Sequence, residues 1–396
     1  ALAFIHPSTT PENSPYRNLA GVGLAYVIAT SLAKEFKIKT IVKDSLDLFC
    51  LGTIADMAQL IGSNRYLLIK GLKTMHQTSC PGLRELYNLA GLKDQEINAE
   101  DIGYQIAPRI NAVGRIGNPD MILDLLIESD LVVAQDIAKK CDDLNRKRRL
   151  MCTELESEAV SILESDKGFI HPFILIGQSH WHSGIIGIVA SKIVEKYNRP
   201  TALLASNNDG TFRGSVRSVD GFSVINALES CDEFLESYGG HKAAAGFTVL
   251  SKNISGLHKK LNTIAKNWLE GDNSELKLSP DSYLNLGDIN KEFWTSYKKL
   301  EPFGIGNKRP LFWSRNCHVH SKLLMKGGHL KLVLEQNGTK VSCIFWGFKR
   351  INEIPNKIDI LFHVFVNKWK GRSTLQLELK SFRKYSCRTQ ITKSNR

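Results

Sequence analysis

Two guanidiniums and two hydroxyls fall within six residues at Arg213-Gly214-Ser215-Val216-Arg217-Ser218. Arginine offers a planar fork of donors that matches phosphate oxygens, and serine adds a short neutral donor. Gly214 lets the backbone come close to a ligand. A second segment closes the stretch, Gly239-Gly240-His241-Lys242-Ala243-Ala244-Ala245-Gly246-Phe247. It pairs a glycine turn with a histidine and a small-residue run that permits close packing. Together the two segments read as an anion pocket, Ser215, Arg217 and Ser218, with His241 beside it. For the first segment alone, a surface turn with solvated arginines is the competing reading.

The stretch follows a pattern that positions it. Phe173-Ile174-Leu175-Ile176-Gly177 reads as a buried strand, Ile185 to Tyr197 as a helix stopped before Pro200, and Thr201 to Ala205 as the next strand. That spacing predicts a βαβ unit in a domain starting near Lys167. A helix is expected from about Ser223 to Tyr238, between the two halves of the pocket. His180 and His182 have H-x-H spacing, a weak zinc signal because no further His/Cys pair stands nearby.

Upstream, Pro119 to Ser165 reads as one long helix connecting domains, and its basic run Asn145 to Arg149 as a solvated face. Ile106 to Ile116 reads as loop chemistry with spare donors on Arg109, Asn111 and Arg115. Its competitor is a capped turn whose arginines face water. Leu46 to Ile54 reads as a buried strand, which places Asp56 at a strand end, where α/β folds keep ligand sites. Asp56 is then either a helix N-cap or a metal ligand. Helices are expected over 16–36 and, broken at Pro81-Gly82, over 64–92.

Residues 270–284 read as a polar linker, and Leu300 to Asn307 as turn-rich. Beyond them come alternating strands at Val319 to Met325, Leu330 to Glu335, Lys340 to Trp346, Ile358 to Val366 and Thr374 to Leu379. Asn337-Gly338 between two of them is a hairpin signal. Five short strands and the basic loop Asn367-Lys368-Trp369-Lys370-Gly371-Arg372 predict a small barrel of the OB type. Such barrels hold single strands through a basic groove and stacking aromatics, a role open to Trp369, which could equally be a core or hairpin-tip ring. After Phe382 the chain is a basic tail with no acid.

Composition bounds these readings. The 396 residues allow two to four domains, and 42% hydrophobic with 23% charged residues is a globular balance. The net charge of +12 favours polyanion partners. No apolar run approaches a membrane span and no signal peptide is recognisable, so no membrane partner is expected. The eight cysteines are scattered without a Cys-x-x-Cys pair, which suggests buried thiols and a reducing, cytoplasmic compartment.

The motifs, taken in order, resemble the RecJ family of single-strand-specific exonucleases within the DHH (Asp-His-His) phosphoesterases. The resemblance runs through Leu19-Ala20-Gly21-Val22-Gly23, Gly52-Thr53-Ile54-Ala55-Asp56, Pro108 to Arg115, Trp181 to Ser191, Gly214 to Ser218, Gly239-Gly240-His241, Pro302 to Asn307 and Asn367 to Gly371. Any one of these is weak; eight in order are strong. The resemblance implies an α/β chain. Part of a DHH phosphoesterase domain covers 1–118, a connecting helix 119–166, a DHH-associated α/β domain 167–270, an OB-type barrel 286–382 and a basic tail 383–396. It implies metal-dependent hydrolysis of single-stranded DNA from the 5′ end in repair and recombination, with two Mn²⁺ or Mg²⁺ ions stabilising the attacking and leaving oxygens.

By the same resemblance Asp56 is the last carboxylate ligand of the metal pair. Arg115 contacts the scissile region, Ser215 and Arg217 hold the 5′ phosphate, and His241 faces the catalytic cleft. A single-strand-binding protein or a helicase are the implied protein partners. The family's aspartate-rich motifs and its Asp-His-His triplet do not occur here, and the chain starts where the family's sequence continues just after that triplet. Asp56 alone cannot hold a pair of hard cations. The expectation is an amino-terminally truncated exonuclease, inactive as given, in keeping with the absent initial Met. Two alternatives stand beside it: a single-strand-binding scaffold on a degenerate DHH fold, and a DHH enzyme acting on short oligonucleotides or small phosphates, for which the barrel has no evident use.

Overall fold

The computed structural model describes residues 4–38, 41–93, 95–165, 170–271, 278–369 and 372–386. The chain divides into two compact units, one formed by residues 29–55 and 72–276, the other by 1–28, 56–71 and 277–396. The first stretch is helical: α1 (Gly21–Glu35), α2 (Ile41–Ala55), α3 (Gly62–Leu72), α4 (Pro81–Leu89), a single turn α5 (Ala99–Asp101), α6 (Ala107–Ile116), α7 (Asp120–Ile127) and α8 (Leu131–Ser165).

Four expectations are corrected here. The apolar run Leu46 to Ile54 is the body of α2, not a strand, and Asp56 sits exposed in the turn that ends it. Leu46, Phe49, Cys50, Leu51 and Thr53 are all buried, so the helix is covered on most sides. Such a run carries no period that separates strand from helix; length decides. With α3 starting only at Gly62, Asp56 is no N-cap either. Residues 107–116 form helix α6 rather than a loop, since Pro108 falls in the first turn, where its missing N–H is unneeded. The connecting segment is two helices. Asp130 Oδ1 accepts from the N–H groups of Val132 and Val133 at 2.7 and 3.0 Å and caps the start of α8.

Along α8, Ala134, Ala138, Cys141, Asn145, Cys152, Leu155, Ala159 and Leu163 are buried at helical spacing. The helix packs on α4, α6, α7 and then α9. Within the basic run, Arg146 is mostly exposed and pairs with Asp142 at 2.8 Å, whereas Arg148 is drawn in and donates to Asn145 Oδ1 at 2.8 Å.

The same unit continues as α/β: β1 (Ile174–Gln178), α9 (Ser183–Tyr197), β2 (Thr201–Ser206), β3 (Thr211–Arg217), α10 (Val224–Glu229), β4 (Leu235–Gly240), β5 (Ala244–Leu250) and α11 (Ile254–Glu270). The sheet order is β1-β2-β3-β5-β4, with β1 and β2 parallel around α9, as the βαβ spacing predicts, and the rest antiparallel. The helix expected over Ser223 to Tyr238 stops at Glu229, and Leu235–Gly240 turns back as an edge strand. The segment Arg213 to Arg217 is likewise strand, not turn. Phe173, Val216, Phe222, Phe247, Leu257 and Leu261 meet in the core on one side of this sheet.

His258 on α11 donates Nε2–H to Phe173 O at 3.1 Å, and its pKa is lowered, first by burial and then by His171. The unfolded chain then takes up a proton near its ordinary pKa that the fold resists. Stability is expected to fall as pH drops from about 6.5. Thermal melts at pH 7.5 and 5.5 check this, and His258→Asn should flatten the difference.

The second unit holds the barrel: β6 (Ser282–Tyr283), α12 (Lys291–Tyr297), β7 (Phe312–Met325), β8 (His329–Gln336), β9 (Thr339–Phe345), β10 (Lys357–Trp369) and β11 (Arg372–Lys384). The order β7-β8-β9-β11-β10 closes on itself through β10–β7, with β9 and β11 parallel and the other barrel pairs antiparallel. That is the five-stranded OB topology. Leu330, Leu332 and Leu334 alternate inward along β8 and are fully buried. Asn337 and Gly338 both have positive φ, 49° and 82°, the hairpin turn that the Asn-Gly pair predicts. The turn-rich stretch is tied down by Arg65 of α3, whose Nη2 donates to the carbonyls of Lys299, Leu300 and Glu301 at 2.9–3.2 Å. Lys370, Gly371 and the tail from 387 lie outside the described residues, as do the side chains of Lys368, Trp369 and Arg372.

Candidate nucleic-acid-binding site

Ser215 and Arg217 are two apart on β3, so their side chains share one face of the sheet. Arg217 Nη1 donates to Ser215 Oγ at 3.1 Å and to Val216 O at 2.9 Å. The amino-terminal half of α9 lies over this face. A Cβ at buried Gly187 would stand 2.7 Å from both Arg217 Nη2 and Ser215 Oγ, so any larger residue there must push these two side chains aside. The α9 start is capped by His182, whose Nδ1 accepts from Gly184 N–H at 3.0 Å. The carboxyl end of α6 closes the third side. Arg115 Nη1 donates to Gly184 O at 3.2 Å, and a Cβ at Gly184 would lie 2.2 Å from Arg115 O.

The charge in this corner is unbalanced. Burial lowers the pKa of Arg217, and the positive Arg115 lowers it further. Arg148 is lowered by burial, with Arg149 and Arg115 acting in the same direction. Among the described residues neither Arg115 nor Arg217 pairs with a carboxylate. A half-buried guanidinium beside a second one, with a hydroxyl at hand and a helix start nearby, is a place that an oxyanion stabilises.

The other expected residues divide. Asn111 is exposed on α6 one turn before Arg115 and shares its face. Arg109 on the same helix is already engaged at all three of its guanidinium nitrogens. Its Nε pairs with Asp142 at 2.9 Å, Nη2 donates to Leu89 O at 3.0 Å and Nη1 to Gln105 O. Ser218 donates Oγ–H to Phe222 O at 2.5 Å, and its N–H meets Ala243 O. His241 is exposed in the β4–β5 turn, its N–H on Ala244 O at 2.8 Å. Because Ala244 is opposite Arg217 in the ladder, His241 lies at the same end of the sheet as the pocket. Trp369 ends β10 opposite Arg372, and Asp56 belongs to the barrel-bearing unit. Gly184 and Gly187 were not expected as site residues. Their signal is the Gly-x-x-Gly spacing at the start of a helix, which gives a smooth face for close approach.

The expected metals do not fit what this chain offers. Asp56 is a single exposed carboxylate, and among the described residues no three His, Cys, Asp or Glu side chains group to hold an ion. His180 instead meets Glu158 Oε2 at 3.0 Å, an oxygen that also accepts from Trp181 Nε1.

Residues 166–267 match the DHHA1 domain and residues 280–381 the RecJ OB domain. The single-stranded-DNA-specific exonuclease RecJ of Bacillus subtilis is 32% identical over 384 residues, covering 96% of this chain and 48% of that protein. RecJ of Thermus thermophilus is 29% identical, with 96% and 54% covered. The crystal structure of the Thermus protein in complex with Mn²⁺ superposes with a TM-score of 0.83 at 28% identity, over 96% of this chain and 55% of that one. The chain thus spans about half the length of these relatives. The α/β domain, the long helix and the barrel follow one another here as the motifs require, and the chain belongs to the RecJ family.

Proposed function

We propose that this chain is the strand-holding part of a 5′→3′ exonuclease acting on single-stranded DNA in repair and recombination. Ser215 and Arg217 take the 5′ phosphate, with Ser218 beside them. Arg115 and Asn111 follow the backbone towards the scissile bond, and His241 flanks the cleft at the same end of the sheet. The observation that carries this reading is the acid-free pair Arg115 and Arg217 beneath the α9 start. A Mn²⁺ or Mg²⁺ pair fits the family's chemistry, with Asp56 as one ligand. That carboxylate alone does not make the site, so no hydrolytic step is assigned to it. Arg109 supports the reading only indirectly, by fixing α6 against α8 through Asp142. The barrel and Trp369 would hold the strand further along. The cytoplasm suits thiols that are free and mostly buried. A single-strand-binding protein or a helicase is the fitting partner class.

The test is binding of matched strands with and without a 5′ phosphate across a salt series. Preference for the phosphorylated end, with affinity falling steeply as salt rises, supports the proposal. A flat salt response removes the nucleic-acid substrate. Degradation of a 5′-phosphorylated strand with Mn²⁺, beside Asp56→Ala, then asks whether the chain cuts unaided.

A further inference from the structure

Helix α7 is apolar on both sides. Leu125 is fully buried on its inner face. Leu123 and Ile127, one turn apart on the outer face, are 59% and 70% exposed. Leu131 and Val132 carry the apolar surface across the elbow into the first turn of α8, and Val132 is 75% exposed. The elbow itself is held in place. Glu128 Oε1 accepts from the N–H groups of Ser129 and Asp130 at 2.7 and 2.8 Å, and the Asp130 carboxylate caps α8. Aliphatic side chains kept in water on such a preformed surface are what a docking partner buries.

The surrounding charge selects that partner. From Ile116 to Ala138 the chain has five carboxylates and no Lys, Arg or His, within a protein of net charge +12. Asp120 and Asp124 share the outer face of α7 with Leu123 and Ile127, at i, i+3, i+4 and i+7 spacing. Glu128 and Asp130 stand in the elbow. Among the described residues these four carboxylates pair with no cation, whereas Asp136, further along α8, is held by Lys140 at 2.7 Å. A nucleic-acid strand or an anionic membrane would meet uncompensated negative charge here and be repelled. A second copy docking through the same face would bring identical carboxylates against it. A cationic protein segment with apolar side chains of its own meets neither obstacle. A helix with Leu or Ile on one stripe and Lys or Arg beside it can lay the stripe along Leu123 and Ile127 and set its cations on the carboxylates.

We infer that the outer face of α7 and its elbow with α8 dock a protein partner through a basic amphipathic helix. The surface shares no residue with the proposed strand site. In the test, the 396-residue chain is titrated by fluorescence anisotropy with a labelled leucine–lysine peptide of about 14 residues, apolar at helical spacing, and with its leucine–glutamate counterpart. The lysine peptide should bind, more weakly as salt rises, and the glutamate peptide should not. Leu123→Ser combined with Ile127→Ser should weaken the lysine peptide on the order of tenfold, and Asp124→Lys by at least about threefold. Leu150→Ser, at an aliphatic side chain 66% exposed beside the basic run of α8, should bind as wild type does. Circular dichroism should be unchanged in all of these variants, since each side chain faces water. Failure of the wild-type chain to bind the lysine peptide, or wild-type affinity in the double variant, overturns the docking site. Equal binding of both peptides, or an equal loss in Leu150→Ser, means an unspecific apolar contact and overturns it as well. A wild-type dimer in sedimentation that Ile127→Ser turns into a monomer gives the face to a second copy instead. A loss of oligothymidylate affinity in the double variant gives it to the strand.

Discussion

Arg217→Ala is expected to lower affinity for a 5′-phosphorylated single strand on the order of ten- to a hundredfold and to leave 5′-hydroxyl strands unaffected. A hydrogen bond to a charged group is worth about 1.5–3 kcal/mol, and about 1.4 kcal/mol is tenfold in affinity. The effect should lie at the upper end because the guanidinium is half-buried and pressed by Arg115. Removing it also relieves that repulsion, so the protein should fold at least as well. Arg217→Lys should recover part of the loss, since it restores charge without the fork. Gly187→Ala should act in the same direction with little change in melting temperature, because its methyl group meets the guanidinium of Arg217 and Ser215 Oγ, side-chain atoms that can move. Paired titrations of phosphorylated and unphosphorylated ends decide the matter. Equal wild-type affinity for the two ends would sink the assignment of Ser215 and Arg217.

Gly184→Ala should act through the backbone instead. The added carbon would lie 2.2 Å from Arg115 O and 3.0 Å from Arg115 C. No side-chain rotation relieves a contact with main chain, so α9 must move off the end of α6. A strain of about 3 kcal/mol is expected, or a fall of about 6–10 °C in melting temperature. Arg115 loses its hold on Gly184 O at the same time, so 5′-phosphate binding should weaken in the fraction that stays folded. Calorimetry together with the same titration checks both parts. A melting temperature unchanged from wild type would mean that α6 and α9 are not in the contact described.

What could be read from the chain follows from how local each signal was. The barrel strands were legible because β8 and β9 alternate around Asn337-Gly338, and the βαβ unit because α9 sits between two short apolar runs. Helix α2 was not, since a run buried on nearly every side has neither period. The break before α8 hides in Glu128-Ser129-Asp130, which reads as ordinary helix until the Asp130 carboxylate is seen on the N–H groups beyond it. In the site, Ser215 and Arg217 were legible as a donor pair. The engagement of Arg109 was not, because Asp142 lies 33 residues away on another helix.

Helix α8 runs unbroken for 35 residues, about 52 Å at 1.5 Å per residue. Its first half is buried against α4, α6 and α7, and Cys152, Leu155, Ala159 and Leu163 enter the core shared with α9 and β1. Neither core can come apart without exposing its half of that buried stripe and fraying the helix from that side. Residues 29–55 and 72–276 should therefore melt as one cooperative body. The amides at the middle of α8, around Cys141 to Cys152, should be among the slowest in this unit to exchange with deuterium, opening only when both cores open together.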